Sequence, residues 1–326
     1  MAVYDSRGTT PVHMDRILTN ISVAYPNGPF LGSAFFPAVS VRKQSDKYYI
    51  FGREAWALPP GNDLRAPGAE ANEVAGITVS TDTYFAVEHA LQIAVTDEER
   101  ENADTPLQPL TDGTELVTSQ LLLARELAIK TLLTTAANYA SGHSTTLNGT
   151  TQWNVASTSH PITDVRTART AIYGKIFMEP NTMAIPYEVM AALENHADII
   201  DRIKYSERGI LTPDLVSNFF GGMQILTAGA GYNSANPGQT AALGYIWGKD
   251  VIIAWVPPRP GLKTPAFGYE FVWGYGGGTP MVTERWREEK RVSDIVRVRR
   301  RYDLKFVALD GSSKAIAGYI IKAAIG

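Results

Sequence analysis

The side chains able to do acid–base, nucleophilic or metal chemistry are few in this chain and badly spaced for it. The five histidines are His13, His89, His143, His160 and His196, and no pair stands at a metal-ligand spacing. His89 interrupts an apolar strand pattern, where a packed or hydrogen-bonded ring is expected rather than a base. Cysteine is absent, which excludes thiolate catalysis, disulfides and cysteine-held zinc. Neither a G-x-S-x-G elbow nor a P-loop occurs. Gly274-Tyr275-Gly276-Gly277-Gly278 lacks the strand–glycine–helix setting of a phosphate cradle and reads as a loop. Asp97-Glu98-Glu99 fits the solvated first turn of a helix better than a metal site. The expectation is a protein with no catalytic residue, no metal and no cofactor, and therefore not an enzyme.

One charged pattern does have a period. Arg297, Arg299, Arg301 and Lys305 share one face of a strand spanning Ser293 to Phe306, and Val296, Val298, Tyr302, Leu304 and Phe306 share the other. The cation row is either the solvated side of an antiparallel sheet or a source of salt links to a neighbouring copy. The second reading is favoured, because that face has no aromatic residues on which bases could stack. Arg300 falls on the apolar face and is expected to mark where the strand leaves its sheet.

The elements that carry these residues are organised around Asp112 to Ser141, the only long uninterrupted helical pattern. Asp112 and Glu115 have capping-box spacing, with Pro106 and Pro109 before and Gly142 after. At 1.5 Å per residue such a helix is about 45 Å long. Leu116, Leu123 and Leu127 make one apolar line, Val117, Leu121, Ala128 and Leu132 a second, extended by Leu122, Ile129, Leu133 and Ala136. A spine with a sheet on one flank and more protein on another is expected.

A second pattern precedes it. Ile77, Val79, Phe85, Val87, Leu91, Ile93 and Val95 occupy odd positions and Thr78, Ser80, Asp82, Glu88 and Gln92 even ones, a strand of roughly 60 Å if continuous. Its partner leg centres on Lys47-Tyr48-Tyr49-Ile50-Phe51, with a break from Leu58 to Asp63 and Arg65-Ala66-Pro67-Gly68 continuing it. A two-stranded ribbon is marginal alone in water, so its apolar face predicts cover from a neighbouring copy. The alternative is a strand that bends at Thr81 to Thr83 and serves two sheets. Tyr48, Tyr49, Phe51, Arg65 and Phe85, with Arg297, Arg299, Arg301 and Lys305, are the candidate subunit contacts.

Elsewhere Thr96 and Glu99 form a capping box at a short acidic helix. The middle third reads as an α/β lobe. Helices are expected over Thr163 to Ile172, capped by Thr163, over Pro186 to His196 and from Asp198 to Lys204. Strands are expected at Thr182 to Ile185, Met223 to Leu226, Ala242 to Trp247 and Asp250 to Val256. Ala317 to Ile325 offers a last strand. Residues 1 to 40 are an irregular, apolar arm in which only Met14 to Val23 suits a short helix.

Composition narrows the function classes. The chain has 326 residues, 44% of them hydrophobic, and a formal charge of -3 at pH 7, which argues against a uniformly basic nucleic-acid clamp. No run of 18 apolar residues occurs and the start lacks a signal-peptide pattern, so a soluble protein without membrane partners is expected.

In order along the chain, Phe35-Phe36-Pro37-Ala38-Val39-Ser40-Val41, Lys47-Tyr48-Tyr49-Ile50-Phe51, Thr96-Asp97-Glu98-Glu99-Arg100, Leu121-Leu122-Leu123-Ala124-Arg125-Glu126, Ile185-Pro186-Tyr187-Glu188-Val189-Met190 and the stretch from His196 to Lys204 resemble tailed-bacteriophage major capsid proteins of the Hong Kong 97 type. The resemblance implies an α+β fold with an N-terminal arm at 1–40 and an extended β-hairpin loop at 41–84. It further implies a peripheral domain at 85–160 holding the spine helix 112–141, an axial domain at 161–284, and peripheral returning strands at 285–326. It implies self-assembly into pentamers and hexamers that form an icosahedral shell enclosing double-stranded DNA. Implied partners are further copies, a portal, scaffold or decoration proteins, and packaged DNA by non-specific proximity. The implied location is the virion capsid, assembled in the bacterial host cytoplasm. The alternative within the same resemblance is an encapsulin-like compartment housing a cargo enzyme.

Overall fold

The computed structural model describes residues 3–4, 11–14, 30–51, 57–59, 63–74, 76, 79–103, 108–203, 213–236, 238–261, 264–275 and 279–326. The first part of the chain contains β1 (Val3–Tyr4), β2 (Pro11–Met14), α1 (Gly32–Phe35), β3 (Ala38–Val41), β4 (Ser45–Phe51), β5 (Val79–Phe85), β6 (Val87–Thr96), α2 (Asp97–Glu101) and α3 (Pro109–Thr134). The middle follows with β7 (Ser144–Thr146), α4 (Pro161–Ile176), β8 (Thr182–Pro186), α5 (Tyr187–Glu194), α6 (Ala197–Ile203), α7 (Pro213–Phe219), β9 (Gln224–Ala228), β10 (Gly231–Asn233), β11 (Leu243–Tyr245) and β12 (Val251–Ala254). The last part holds β13 (Gly268–Trp273), β14 (Met281–Glu288), β15 (Ser293–Phe306) and β16 (Gly318–Lys322). The short helix expected from Met14 to Val23 lies outside the described residues, except that Met14 ends β2.

Two sheets dominate. One runs β1-β2-β14-β15-β13-β3, with β6 also paired to β15; the other runs β7-β16-β12-β8-β9. In the second sheet alternate residues serve opposite faces. Met183, Ile185, Val251, Ile253 and Ile321 pack with the apolar sides of α4, α5, α6 and α7. Ala184, Ile252, Ala254 and Ile320 face a separate core of Phe35, Ile129, Leu133, Trp247 and Phe267. Such strands are buried on both sides, which is why they read as continuous apolar runs.

The helix α3 joins the sheets, as a spine with two flanks would. Its first half packs Val117 and Leu121 on Val298 and Met281 of the first sheet, and its second half brings Ile129 and Leu133 into the core beside Trp247. At Gly113 a Cβ would stand 3.2 Å from Ile93 Cγ2, so helix and β6 approach closely there.

The helix covers Pro109 to Thr134 rather than 112–141. Pro109 takes its first position, where a missing amide costs no hydrogen bond. Asp112 accepts the Gln108 amide at 3.1 Å from within the first turn instead of forming the expected capping box. The far end stops early because Thr135 turns extended, while Asn138 Nδ2 and the Tyr139 hydroxyl donate to the carbonyls of Leu132 and Leu133, each at 2.8 Å. Similarly, α4 starts at Pro161, two residues before its expected cap Thr163.

The expected continuous strand from Ile77 to Val95 is two strands. Ala86 is fully buried between them and donates its amide to Gln44 O at 2.8 Å, while among the described residues β5 pairs only with β4, and β6 pairs with β15. The chain changes sheets at Ala86, not at Thr81 to Thr83. By contrast the Thr96–Glu99 capping box is present, with both reciprocal bonds made.

Strand membership also cuts across the expected ranges 161–284 and 285–326. β13 and β14 lie in the sheet of β6 and β15, whereas β16 lies in the sheet of β8 and β12.

Arg300 does not mark the end of its sheet, since β15 continues to Phe306. It is on the apolar face because a buried carboxylate needs it. Glu270 accepts from Arg300 Nη2 at 2.7 Å and from Arg125 of the spine at 2.5 and 3.1 Å. Beside Arg125, buried Glu126 accepts from the amides of Leu31 and Gly32 at 2.8 and 3.0 Å and from Trp247 Nε1 at 3.0 Å. Burial raises the Glu126 carboxyl above the ordinary range, against the pull of these donors. Two adjacent charges in the spine thus clamp α1, β13, β15 and the segment after β11. Their only sequence signal is a charged pair inside a long apolar helical stretch.

Candidate assembly surface

The ribbon β4–β5 has two unlike faces. Tyr48 and Tyr84 turn inward onto Phe271, with ring centroids 5.2 and 4.8 Å away, and the Tyr48 hydroxyl donates to Asp82 Oδ2 at 2.7 Å. Burial, aided by Asp82, pushes the Tyr48 phenol above its ordinary range. Phe85 N donates to Asp303 Oδ2 at 2.9 Å, and the Tyr84 hydroxyl to Lys43 O at 3.3 Å. These contacts hold the root of the ribbon against the first sheet.

The opposite face carries Tyr49, Val79 and Phe85, which are 67%, 46% and 55% exposed. Past Ala86 the same odd-numbered positions leave Val87 and Leu91 47% and 38% exposed on β6. Full burial of such a side chain stabilises by about 1.5–3 kcal/mol, so covering five half-exposed ones offers on the order of 5 kcal/mol per copy. Farther out, every described residue from 63 to 74 is exposed, including Arg65 and Leu64.

Of the candidate contacts, then, Tyr49 and Phe85 share the outward face, Arg65 is exposed in the connection between β4 and β5, and Tyr48 is engaged inside the chain. Phe51 is placed as the last residue of β4, and its side chain lies outside the described residues.

The cation row has partners within the chain. Arg297 reaches Glu284 at 2.6 Å, Arg301 reaches Glu88 at 2.6 Å, and Arg299 touches both carboxylates, Glu88 at 3.2 Å. Lys305 stands 3.9 Å from Asp303. Burial works to raise the Glu88 carboxyl, but Arg301 and Arg299 outweigh it and hold it below the usual range. The guanidinium of Arg297 lies 4.8 Å from the Trp286 ring, and that of Arg301 4.4 Å from Trp273 and 4.1 Å from Tyr275. Sequence spacing showed the cations but neither Glu88 and Glu284 nor the rings, which come from β6, β13, β14 and the stretch between β13 and β14.

One serine–histidine pair invites a chemical reading. Ser159 Oγ is 2.8 Å from His196 Nε2, and both residues are buried. Asp198 contributes its backbone amide, 3.2 Å from His196 Nδ1, while its carboxylate meets His160. With Nδ1 accepting, Nε2 carries the proton and donates to Ser159, whose own hydrogen goes to Val155 O at 2.8 Å. The histidine cannot take the serine proton in this arrangement.

The same geometry has a pH consequence. Burial holds the His196 imidazole below the usual histidine range, with Asp198 opposing and His160 adding to the effect. A depressed folded pKa means stability that is present above the unfolded value and lost as pH falls through the folded one. Urea denaturation at pH 7.5 and 5.5 is expected to show a lower midpoint at pH 5.5, with a smaller drop in His196→Gln. Equal drops in the two proteins would remove His196 as the cause.

A family model described as phage capsid protein matches residues 79–317. The chain is 30% identical over 293 residues to the major capsid protein of Burkholderia phage BcepMu, covering 87% of this chain and 92% of that protein. A crystal structure of a phage-related protein from Bordetella bronchiseptica RB50 superposes with a TM-score of 0.72 at 25% identity, covering 97% of this chain and 99% of the other. An encapsulin complex from Synechococcus elongatus PCC 7942 has a TM-score of 0.50 at 9% identity, covers 99% and 96% of the two chains, and shares the fold alone.

Proposed function

The chain belongs to the phage capsid protein family, with a role in the capsid shell of a virion, and on that premise we propose that its outward ribbon face is where copies join. In this reading copies form pentamers and hexamers in the Hong Kong 97 manner, and these close into an icosahedral shell around double-stranded DNA. The observation that carries it is the apolar side chains left in water on one chain, Tyr49, Val79 and Phe85 on a strip of the ribbon and Val87 and Leu91 on β6. Obligate interfaces commonly bury about 2,000–5,000 Å², more than this strip provides, so further surfaces contribute.

The two-sheet body then divides its work. The first sheet with the spine forms the periphery of each capsomer and the second sheet with its helices the part near the axis. Arg297, Arg299, Arg301 and Lys305 contribute to subunit contacts through whichever hydrogen-bonding capacity their internal partners leave. The role is structural rather than catalytic, which accords with the serine–histidine geometry. Portal, scaffold and decoration proteins are the expected partners, DNA is held by proximity, and assembly takes place in the bacterial host cytoplasm.

The encapsulin likeness favours one second reading, a compartment around a cargo enzyme. Electron microscopy of the expressed protein tests the shell, with closed particles expected. A stable monomer at high concentration, alone and beside its co-expressed assembly partners, would sink it. Particle contents separate the two readings: packaged genome supports the virus, an enclosed enzyme the compartment.

A further inference from the structure

The body built on β7-β16-β12-β8-β9 carries two aromatic patches whose charged surroundings have opposite sign. Helix α4 packs on β16 and β12, and α5 packs on β8 and β9, so the patches lie toward different flanks of one helical layer.

On α4, Arg166, Thr170 and Tyr173 follow one stripe at helical spacing that continues to Phe177, and all are exposed. Phe177 closes the helix with φ 54°, a left-handed conformation that favours glycine, yet a large apolar ring is held there in solvent. Lys175 lies in the same last turn. Of the two acids in residues 161–181, Asp164 accepts from Trp153 Nε1 at 2.9 Å and Glu179 pairs with Arg169 at 2.9 Å. The patch is therefore aromatic and cationic.

On α5, Tyr187, Ala191 and Glu194 form an exposed stripe with Glu188 beside it, and the helix contains no basic residue. The Tyr187 ring lies 6.2 Å from that of Tyr245 on β11, where Leu243 is exposed as well. This patch is aromatic and anionic.

Pairing either patch with itself across a two-fold axis would set like charges together. Pairing one with the other sets Arg166 against Glu188 and Glu194, with aromatic rings at the centre where interface energy concentrates. A contact between different patches is head-to-tail and generates a ring when the rotation closes. We propose that α4 of one copy docks on α5 of the next, making a heterologous ring contact around the capsomer axis. This rests on the shell reading above and names a second surface for it.

Charge reversal tests the contact. Arg166→Glu alone, and Glu188→Lys with Glu194→Lys, should each lower the assembled fraction measured by sedimentation at low salt by about tenfold or more, equivalent to about 1.4 kcal/mol. The chain carrying all three reversals should recover most of it. Thermal melts should stay near wild type, because the altered side chains are exposed. Phe177→Gly, which removes the ring and the strained conformation together, should assemble less well without melting earlier. Reversed chains that assemble like wild type, or a combination no better than its parts, would overturn this contact and leave the shell reading standing. A wild-type chain that forms no oligomer together with its co-expressed assembly partners would overturn both.

Discussion

Replacing Pro59–Glu73 by a short glycine–serine linker is expected to leave a folded chain that makes no particles. Every described residue from 63 to 73 is exposed, and the paired residues of β4 and β5 end at Phe51 and Val79, outside the replaced segment. Removing it takes no described residue from either core, and a shorter connection closes at slightly lower entropic cost, so stability should shift by no more than about 0.5 kcal/mol. The proposed contact of this connection with a neighbour is lost, and the assembled fraction should fall by about 100-fold or more, the equivalent of roughly 2.7 kcal/mol per contact. Tyr49→Ser with Phe85→Ser, in a chain with this connection intact, asks whether the apolar face matters as well, and a loss of similar size is expected. Intact shells from the linker chain would end the ribbon account, whatever the double variant did.

The second large effect is on folding. Glu270 is fully buried and is the shared counter-charge of Arg125 and Arg300. Glu270→Ala would leave both guanidinium groups without it, and breaking a buried pair from one side costs about 3–5 kcal/mol. Glu270→Gln keeps shape and some acceptor capacity, so it should cost less but remain clearly destabilising. Urea denaturation of the unassembled chain measures this without interference from shell contacts. A Gln variant within about 0.5 kcal/mol of wild type would mean that water or Glu126 already compensates the arginines. Because the cluster joins the spine to β13 and β15, assembly defects in these variants should track the unfolding midpoint, unlike those of the ribbon variants.

Patterns confined to a few consecutive residues were legible. The Thr96–Glu99 capping box, the strand Ser293–Phe306 and the existence of a spine helix all follow from spacing along the chain, because their interactions are local or repeat with a helix or strand period. Helix ends were less legible. The spine stops at Thr134 since side chains from Asn138 and Tyr139 take its last carbonyls, a competition that apolar periodicity does not register. The apolar odd positions from 79 to 95 were visible, but the change of sheet at Ala86 was not. An alanine at an even position continues the two-residue pattern whether or not the backbone turns there.

Spacing along the chain was enough for one long helix, strands that alternate apolar and polar residues, and a ribbon that leaves apolar side chains uncovered; the capsid family came from the resemblance of several stretches taken in order. Those features depend on neighbours a few residues apart. It took the folded chain to bring Arg301 to Glu88, to let Arg300 and Arg125 share Glu270, and to set Glu126 against Leu31, Gly32 and Trp247. Each joins segments widely separated in the chain, and which charges meet depends on how two sheets and a helix settle around shared cores. Linear spacing contains no measure of that distance.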